Sequence, residues 1–172
     1  MDSRLREAIN EFANNVRRFY NITVPIKNID EVVKNIGGKV EILANSDEAY
    51  DGRIKKSSDY NFIIEVSENQ SDVRKNFTVA HELGHLFLHM GYNSNEELWD
   101  KQEKEYKREG YSEEEYEANE FAACLLMPSE EYRRILYDIS EGNKVDVSKI
   151  AKHFNVSLPA AINRGRFLGY FE

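Results

Sequence analysis

The chain has 172 residues, a length that suits one domain able to bury about 70% of the surface that its unfolded form exposes. Its net charge is −8, whereas nucleic-acid binders usually carry a basic surplus, so the charge argues against direct binding to DNA or RNA. The single cysteine excludes an internal disulfide, and we find neither a secretory signal nor an apolar run that could span a membrane. We therefore expect one cytoplasmic domain, residues 1–172.

The first part of the chain predicts two helices. Apolar residues recur at helical spacing across residues 3–20, and Pro25 interrupts the pattern. A shorter helix is predicted over residues 28–36, where Gly37-Gly38 ends it.

The periodicity then changes from helical to alternating. Residues 39–43 indicate a strand, and Asp51-Gly52 marks a turn or a strand end. Residues 60–66 form the strongest strand candidate, because alternate side chains are apolar and share one face.

The remainder of the chain is mostly helical. A long predicted helix extends to about His89 and is followed by residues 93–117, whose high charge favours a mobile connection or a solvated helix face. A helix that ends near Pro128 follows, and residues 130–139 and 146–169 predict further helices. Helices, a few strands and then helices form an α+β pattern, for which we expect a small antiparallel sheet packed on helices.

Residues 81–85 read HELGH, an HExxH sequence on the long predicted helix. Residues four apart on a helix lie about 40° apart around the axis and about 6 Å apart along it, so His81 and His85 can bind one zinc ion. Glu82 projects about 100° away from His81 and can take a proton from zinc-bound water, whose pKa zinc lowers to about 7. The pattern predicts a zinc hydrolase with Glu82 as general base.

The motif alone is a strong but incomplete signal. Chance would produce it in about 1% of chains with this histidine and glutamate content, so its surroundings also matter. Apolar residues surround it on a helix that follows a strand, as expected for a helix at the core. The alternative is an amphipathic helix whose histidines are only polar residues at the core edge.

A catalytic zinc site also needs a third protein ligand and an open position for water. The sequence has no further histidine cluster, so we expect a carboxylate. Glu115 continues the inward stripe of the next helix, and Asn119 one turn later can accept the ring N–H of a ligand histidine. Glu117 is the competing ligand, about 160° away on the same helix. In the alternative interpretation, these acidic residues only favour a helix N-terminus.

Residues 74–89 (RKNFTVAHELGHLFLH) and 115–128 (EYEANEFAACLLMP) resemble the ImmA/IrrE family of metallopeptidases. The resemblance covers most of the chain, including the Asp51-Gly52 and 60–66 strands and the C-terminal segment at 150–169. The two motifs together are highly specific.

This resemblance implies a compact zincin-like fold in which His81, His85 and Glu115 bind zinc and Glu82 is the general base. It also implies an endopeptidase that cleaves a helix-turn-helix repressor, often one encoded beside the protease on a mobile element or prophage. The chain length matches the short members, which lack a C-terminal sensory domain. Because two histidines and one carboxylate accept several metals, Mn²⁺ remains an alternative to Zn²⁺.

The position of the substrate can also be predicted from the resemblance. Zincins hold an extended peptide beside the edge of a sheet through main-chain hydrogen bonds. We expect the strand over residues 60–66 to provide that edge.

Other polar residues have weaker claims to a role. His89 continues the four-residue series and is expected to have a structural role or to support the metal ligands. A donor that stabilises the transition state cannot be identified from the motif, and the candidates are His153, Tyr92, Arg74 and Arg164.

Residues 147–169 look like two helices joined by a short turn, the pattern of a helix-turn-helix, with Arg164 and Arg166 on the second helix. The competing function is therefore a DNA-binding regulatory protein with a structural metal site. The alternative is two ordinary helices that complete the fold, which the acidic net charge favours. A metal-dependent hydrolase of a non-peptide substrate is the third hypothesis.

Overall fold

The computed structural model describes residues 3–44, 51–102, 113–142 and 144–171. The predicted polar stretch therefore lies partly outside the described residues. The α-helices within them are α1 (Ser3–Phe19), α2 (Ile29–Ile36), α3 (Asp72–Gly84), α4 (Glu96–Lys101), α5 (Glu113–Leu126), α6 (Ser129–Ile139), α7 (Val147–Phe154) and α8 (Leu158–Phe167). The strands are β1 (Gly38–Leu43), β2 (Gly52–Lys56) and β3 (Phe62–Ser67).

The predicted α+β fold is confirmed: most of the described residues are helical, and one small sheet packs on the helices. Side chains at the helix ends explain several boundaries. Asn28 caps α2, which ends at Gly37 in the left-handed conformation, and the Ser71 side chain accepts a hydrogen bond from the Arg74 N–H at the start of α3. Among the described residues, no helix combines the length and apolar character needed to cross a membrane.

The sheet has the strand order β1-β3-β2 and is mixed. The prediction of an antiparallel sheet is wrong for one of its two strand pairs, because β1 and β3 run parallel while β2 and β3 run antiparallel. β2, the next strand after β1 in sequence, lies at the opposite edge of the sheet, and β3 then lies between β1 and β2. Such a crossing depends on contacts distant in sequence, and alternating side chains carry no signal for it.

β3 is therefore the central strand, and the prediction that it offers an edge to a substrate is also wrong. Phe62, Ile64 and Val66 are almost completely buried, as expected for a strand with neighbours on both sides. Among the described residues, β1 and β2 are therefore the two outer strands of the sheet.

A π-helical turn follows α3 directly and covers His85–His89. The Met90 N–H donates to the His85 carbonyl five residues earlier, at 2.9 Å. The long predicted helix thus exists, but its last turn is wider than an α-helical turn. π-turns inside helices occur frequently at functional sites.

Helices α3 and α5 pack in very close contact. A Cβ atom added to Gly84 would lie 2.9 Å from the Cα of Ala118, closer than real Cβ atoms approach, and 3.0 Å from its carbonyl oxygen. Glycine at this position therefore permits an approach of the two backbones that any side chain would prevent. Ala118 is one turn after Glu115, so the same contact brings the start of α5 beside the histidines of α3.

The C-terminal helices α7 and α8 are joined by a short turn at residues 155–157, as predicted. Arg164 of α8 is 2% exposed and holds three elements together. It donates to the Met127 carbonyl at 3.0 Å, to Glu120 at 3.2 Å and to Asn10 of α1 at 2.9 Å. A buried guanidinium with these partners has a structural role and cannot contact a DNA phosphate.

We predict that Gly84→Ala lowers the stability of the protein. Alanine normally stabilises a helix by about 1 kcal/mol relative to glycine, whereas a methyl group forced against the Ala118 backbone should cost about 1–3 kcal/mol. Urea unfolding of the metal-free protein gives the sign directly. Adding Ala118→Gly should not restore stability, because the nearest atoms are backbone. A more stable Gly84→Ala protein would show that the helices are not in this contact.

Candidate metal centre

Three side chains from α3, the π-turn and α5 could together hold a metal ion: His81, His85 and Glu115. These three side chains are called the metal group below. The Nε2 atoms of the two histidines are 3.0 Å apart. Each lies 3.2 Å from a different carboxylate oxygen of Glu115. The sequence predicted these residues, and the structure brings all three together.

The distances within this group suit a tetrahedral metal ion. Ligand atoms about 2.0–2.1 Å from zinc in tetrahedral geometry lie about 3.3 Å from one another. The three observed separations, 3.0 to 3.2 Å, are close to that value. Burial lowers the pKa of His85 to about 2, and nearby His81 and His89 act in the same direction. His85 is therefore a neutral imidazole, the form that binds metals.

The His81 ring is oriented by α5. Its Nδ1 lies 3.0 Å from the Asn119 side-chain oxygen. An amide oxygen can only accept, so the Nδ1–H donates and the Nε2 lone pair faces His85 and Glu115. The predicted contact between Asn119 and a ligand histidine is confirmed.

The Glu82 carboxylate lies beside the metal group on the side of β2. Its side chain is buried, with Oε1 only 3.3 Å from the position that a Cβ of Gly52 would occupy. Glycine at the start of β2 therefore leaves the space that the Glu82 carboxylate needs. The sequence identified Asp51-Gly52 only as a turn or strand end, and the packing explains its residue type.

An open cleft of about 980 Å³ gives access to this site. His81, Glu82 and Glu115 line it, together with Gly52 of β2 and Asp51 just before that strand. Side chains from α3, α5 and α8 form most of the remaining wall, including Phe77, Tyr116, Ala123, Ala160 and Phe167.

Glu117 contacts a different histidine from Glu115. Its Oε2 atom lies 3.1 Å from Nε2 of His89, whose Nδ1 in turn lies 2.9 Å from Nδ1 of His85. His89 thus stands behind His85, on the side away from Glu115, in line with the predicted supporting role. No local pattern indicates the contact between His89 and Glu117, because it joins the π-turn to a separate helix.

Comparison with known families connects this geometry to an enzyme class. A peptidase family model, described as the IrrE N-terminal-like domain, matches residues 38–165. The chain belongs to this family. The resemblance drawn from residues 74–89 and 115–128 is therefore confirmed, and membership indicates a peptidase.

The comparison with solved structures supports the fold, and the comparison with curated proteins found no match. Among solved structures, a Mycobacterium tuberculosis transcriptional regulator is similar, with a TM-score of 0.62 and 17% sequence identity. The match covers 92% of this chain and 46% of that protein, so the chain spans less than half of its length.

The four candidates for a transition-state donor differ in whether they line the cleft and in what they contact. His153 pairs with Glu131 of α6 at 3.4 Å, and neither it nor Tyr92 lines the cleft. The Tyr92 hydroxyl instead donates to the Ile36 carbonyl at 2.9 Å.

Arg74 and Arg164 line the cleft, but Arg164 is held by its buried partners. Arg74 is exposed and forms an ion pair with Asp51. The exposed Tyr116, beside Glu115 on α5, is a further cleft donor that the sequence did not single out.

We predict that Glu115→Ala weakens metal binding, whereas Glu117→Ala retains one ion per chain when zinc is in excess. Glu115 reaches both Nε2 atoms of the metal group, and Glu117 reaches only His89. Zinc bound at equilibrium with excess zinc, measured by dialysis for both variants side by side, tests the assignment. Full zinc in Glu115→Ala with loss in Glu117→Ala would reverse the roles of the two glutamates.

Proposed function

We propose that this protein is a metal-dependent endopeptidase that cleaves a protein substrate. The observation that carries the proposal is a group of three candidate ligands, two of which line an open cleft together with a separate buried carboxylate, Glu82. Membership of a peptidase family supports it. Zinc is the proposed metal, because two imidazoles and one carboxylate with an open position are a donor set of catalytic zinc sites; Mn²⁺ is the alternative.

The residues of the site divide the chemistry between them. A divalent ion bound by His81, His85 and Glu115 would supply Lewis acidity toward water and the substrate carbonyl. Glu82 accepts the proton from the attacking water and passes it to the leaving amine. Asn119 keeps the His81 ring in the orientation and tautomer that binding requires.

The open edge of β2 is the proposed place for the substrate backbone. The Ser67 N–H donates to the Asp51 carbonyl, and the Ser57 N–H donates to the Asn61 carbonyl, which fixes the hydrogen-bonding register of β2 with β3. Residues 52, 54 and 56 therefore direct their main-chain groups away from β3. Because Gly52 lines the cleft, a peptide paired with this edge would pass the metal group.

The proposed substrate is a helix-turn-helix transcriptional repressor encoded near this gene. The support comes from the resemblance to ImmA/IrrE proteases. Incubating the zinc-loaded protein with that repressor and following the products by mass spectrometry tests the proposal. An intact repressor under conditions where wild-type protein holds zinc would contradict it.

DNA binding through α7 and α8 is the second candidate, favoured by the two-helix arrangement and by the name of the similar structure, a transcriptional regulator. The burial of Arg164 counts against it, although Arg166 is exposed. Tight DNA binding with a steep salt dependence would support this candidate.

Glu82→Gln should keep the bound metal and lose nearly all cleavage activity. Glutamine has the same shape but accepts no proton, so the loss should be about a hundredfold or more. Metal content and cleavage rate are measured on the same preparation. A variant that cleaves at the wild-type rate would exclude Glu82 as the general base.

We predict that Gly52→Ala impairs cleavage by about tenfold or more without removing the metal. The added Cβ would lie 2.5 Å from Cγ2 of Thr78 and 3.3 Å from Oε1 of Glu82, so β2 must move away from α3. Cleavage rate, metal content and thermal midpoint together separate a local effect from unfolding.

Thr78→Ser provides the matched control for this variant. Serine lacks Cγ2 but keeps the hydroxyl, which donates to Gln70 at 3.0 Å. The double variant Gly52→Ala/Thr78→Ser should therefore regain stability but not activity, since the contact with Glu82 remains. Normal cleavage by folded Gly52→Ala would argue against a substrate at this end of β2.

A further inference from the structure

Both ring nitrogens of His89 have partners, and together they form a chain from α5 to the metal group. Glu117 Oε2 is 3.1 Å from His89 Nε2, and His89 Nδ1 is 2.9 Å from His85 Nδ1. The other nitrogen of His85, Nε2, faces His81 and Glu115. The side chain of His89 is only 6% exposed, and that of Glu117 22% exposed.

The chemistry of these groups determines the direction of each hydrogen bond. An ionised carboxylate can only accept, so the His89 Nε2–H donates to Glu117. With its proton on Nε2, the His89 ring presents the lone pair of Nδ1, which accepts from the Nδ1–H of His85. With its proton on Nδ1, His85 has a lone pair on Nε2, the atom that faces Glu115.

We infer that His89 and Glu117 are positioning residues that hold His85 in the tautomer and orientation required to bind the metal. Neither residue is one of the three candidate ligands, and His89 acts through its contact with His85. Histidine ligands commonly donate their second N–H to an acceptor that fixes the ring and raises its basicity. Here the acceptor is another histidine, itself oriented by a carboxylate.

The two ligand histidines are consequently supported in different ways. His81 donates to Asn119, whose amide oxygen is neutral. His85 donates to a ring that is hydrogen-bonded to a negative charge, and charge-assisted hydrogen bonds are stronger than neutral ones. The π-turn is part of this arrangement, because it begins at His85 and ends at His89.

This inference rests on the metal centre of the proposed function, but not on peptidase activity. Zinc affinity can therefore test it, by competition with a chromogenic chelator. His89→Ala should weaken zinc binding by about 10–100-fold. Glu117→Ala should weaken it by a smaller factor, because His89 remains as an acceptor but loses its orientation.

His153 and Glu131 provide matched controls, because they form a second histidine–glutamate pair at 3.4 Å, away from the cleft. His153→Ala and Glu131→Ala should bind zinc as wild type does. His89→Gln should recover part of the affinity, since the glutamine side-chain oxygen can accept from His85. If His89→Ala fails to fold, the partly exposed Glu117 still provides a usable variant.

Nitrogen-15 NMR of the ring nitrogens provides a readout that a purely structural role would not change. In the zinc-loaded wild type, we expect His85 to carry its proton on Nδ1 and His89 to carry its proton on Nε2. Glu117→Ala should yield a mixture of His89 tautomers. A His89 proton on Nδ1 in the wild type would overturn the inference.

Zinc affinity distinguishes a failure of the positioning role from a failure of the metal centre itself. Equal zinc affinity in wild type, His89→Ala and Glu117→Ala would overturn the positioning role and leave the metal centre intact. A wild-type protein that binds no divalent metal would contradict the metal centre, and the positioning role would fail with it. Reduced affinity in both variants with normal controls would support both.

Discussion

The close contact between Gly84 of α3 and the backbone of Ala118 of α5 determines where the metal group forms. Two histidines on one helix define a direction but not a complete site, and the third ligand must come from elsewhere in the fold. With the helices this close, a glutamate one turn before Ala118 reaches both Nε2 atoms at 3.2 Å. A larger residue at position 84 would separate the helices and the ligands together.

The parts of the site that follow from helix geometry were predictable from the sequence. The spacing of His81 and His85 and the different direction of Glu82 depend only on residues within five positions of one another. Glu115 was harder, because it required the buried stripe of a second helix to be extended by one turn. Asn119 followed from Glu115, since a residue one turn later lies on the same face.

Features that depend on distant contacts could not be predicted in this way. The crossing that places β3 between β1 and β2 has no local signal, so the open edge was assigned to the wrong strand. Arg164 looked like a phosphate or transition-state donor because its sequence surroundings do not reveal Glu120 and Asn10 as buried partners. The π-turn likewise altered the position of His89 from that expected for a regular α-helix.

The start of α5 must therefore satisfy three requirements at once. Glu115 contacts both ligand histidines, Asn119 orients His81, and Glu117 reaches His89. These residues lie two positions apart on one rigid element, so a shift of α5 by one residue would remove all three contacts together. The Gly84–Ala118 contact helps to set the position of α5 along α3, because a Cβ at position 84 would lie only 2.9 Å from the Ala118 Cα. The packing that stabilises the two helices is thus also what keeps the candidate site in register.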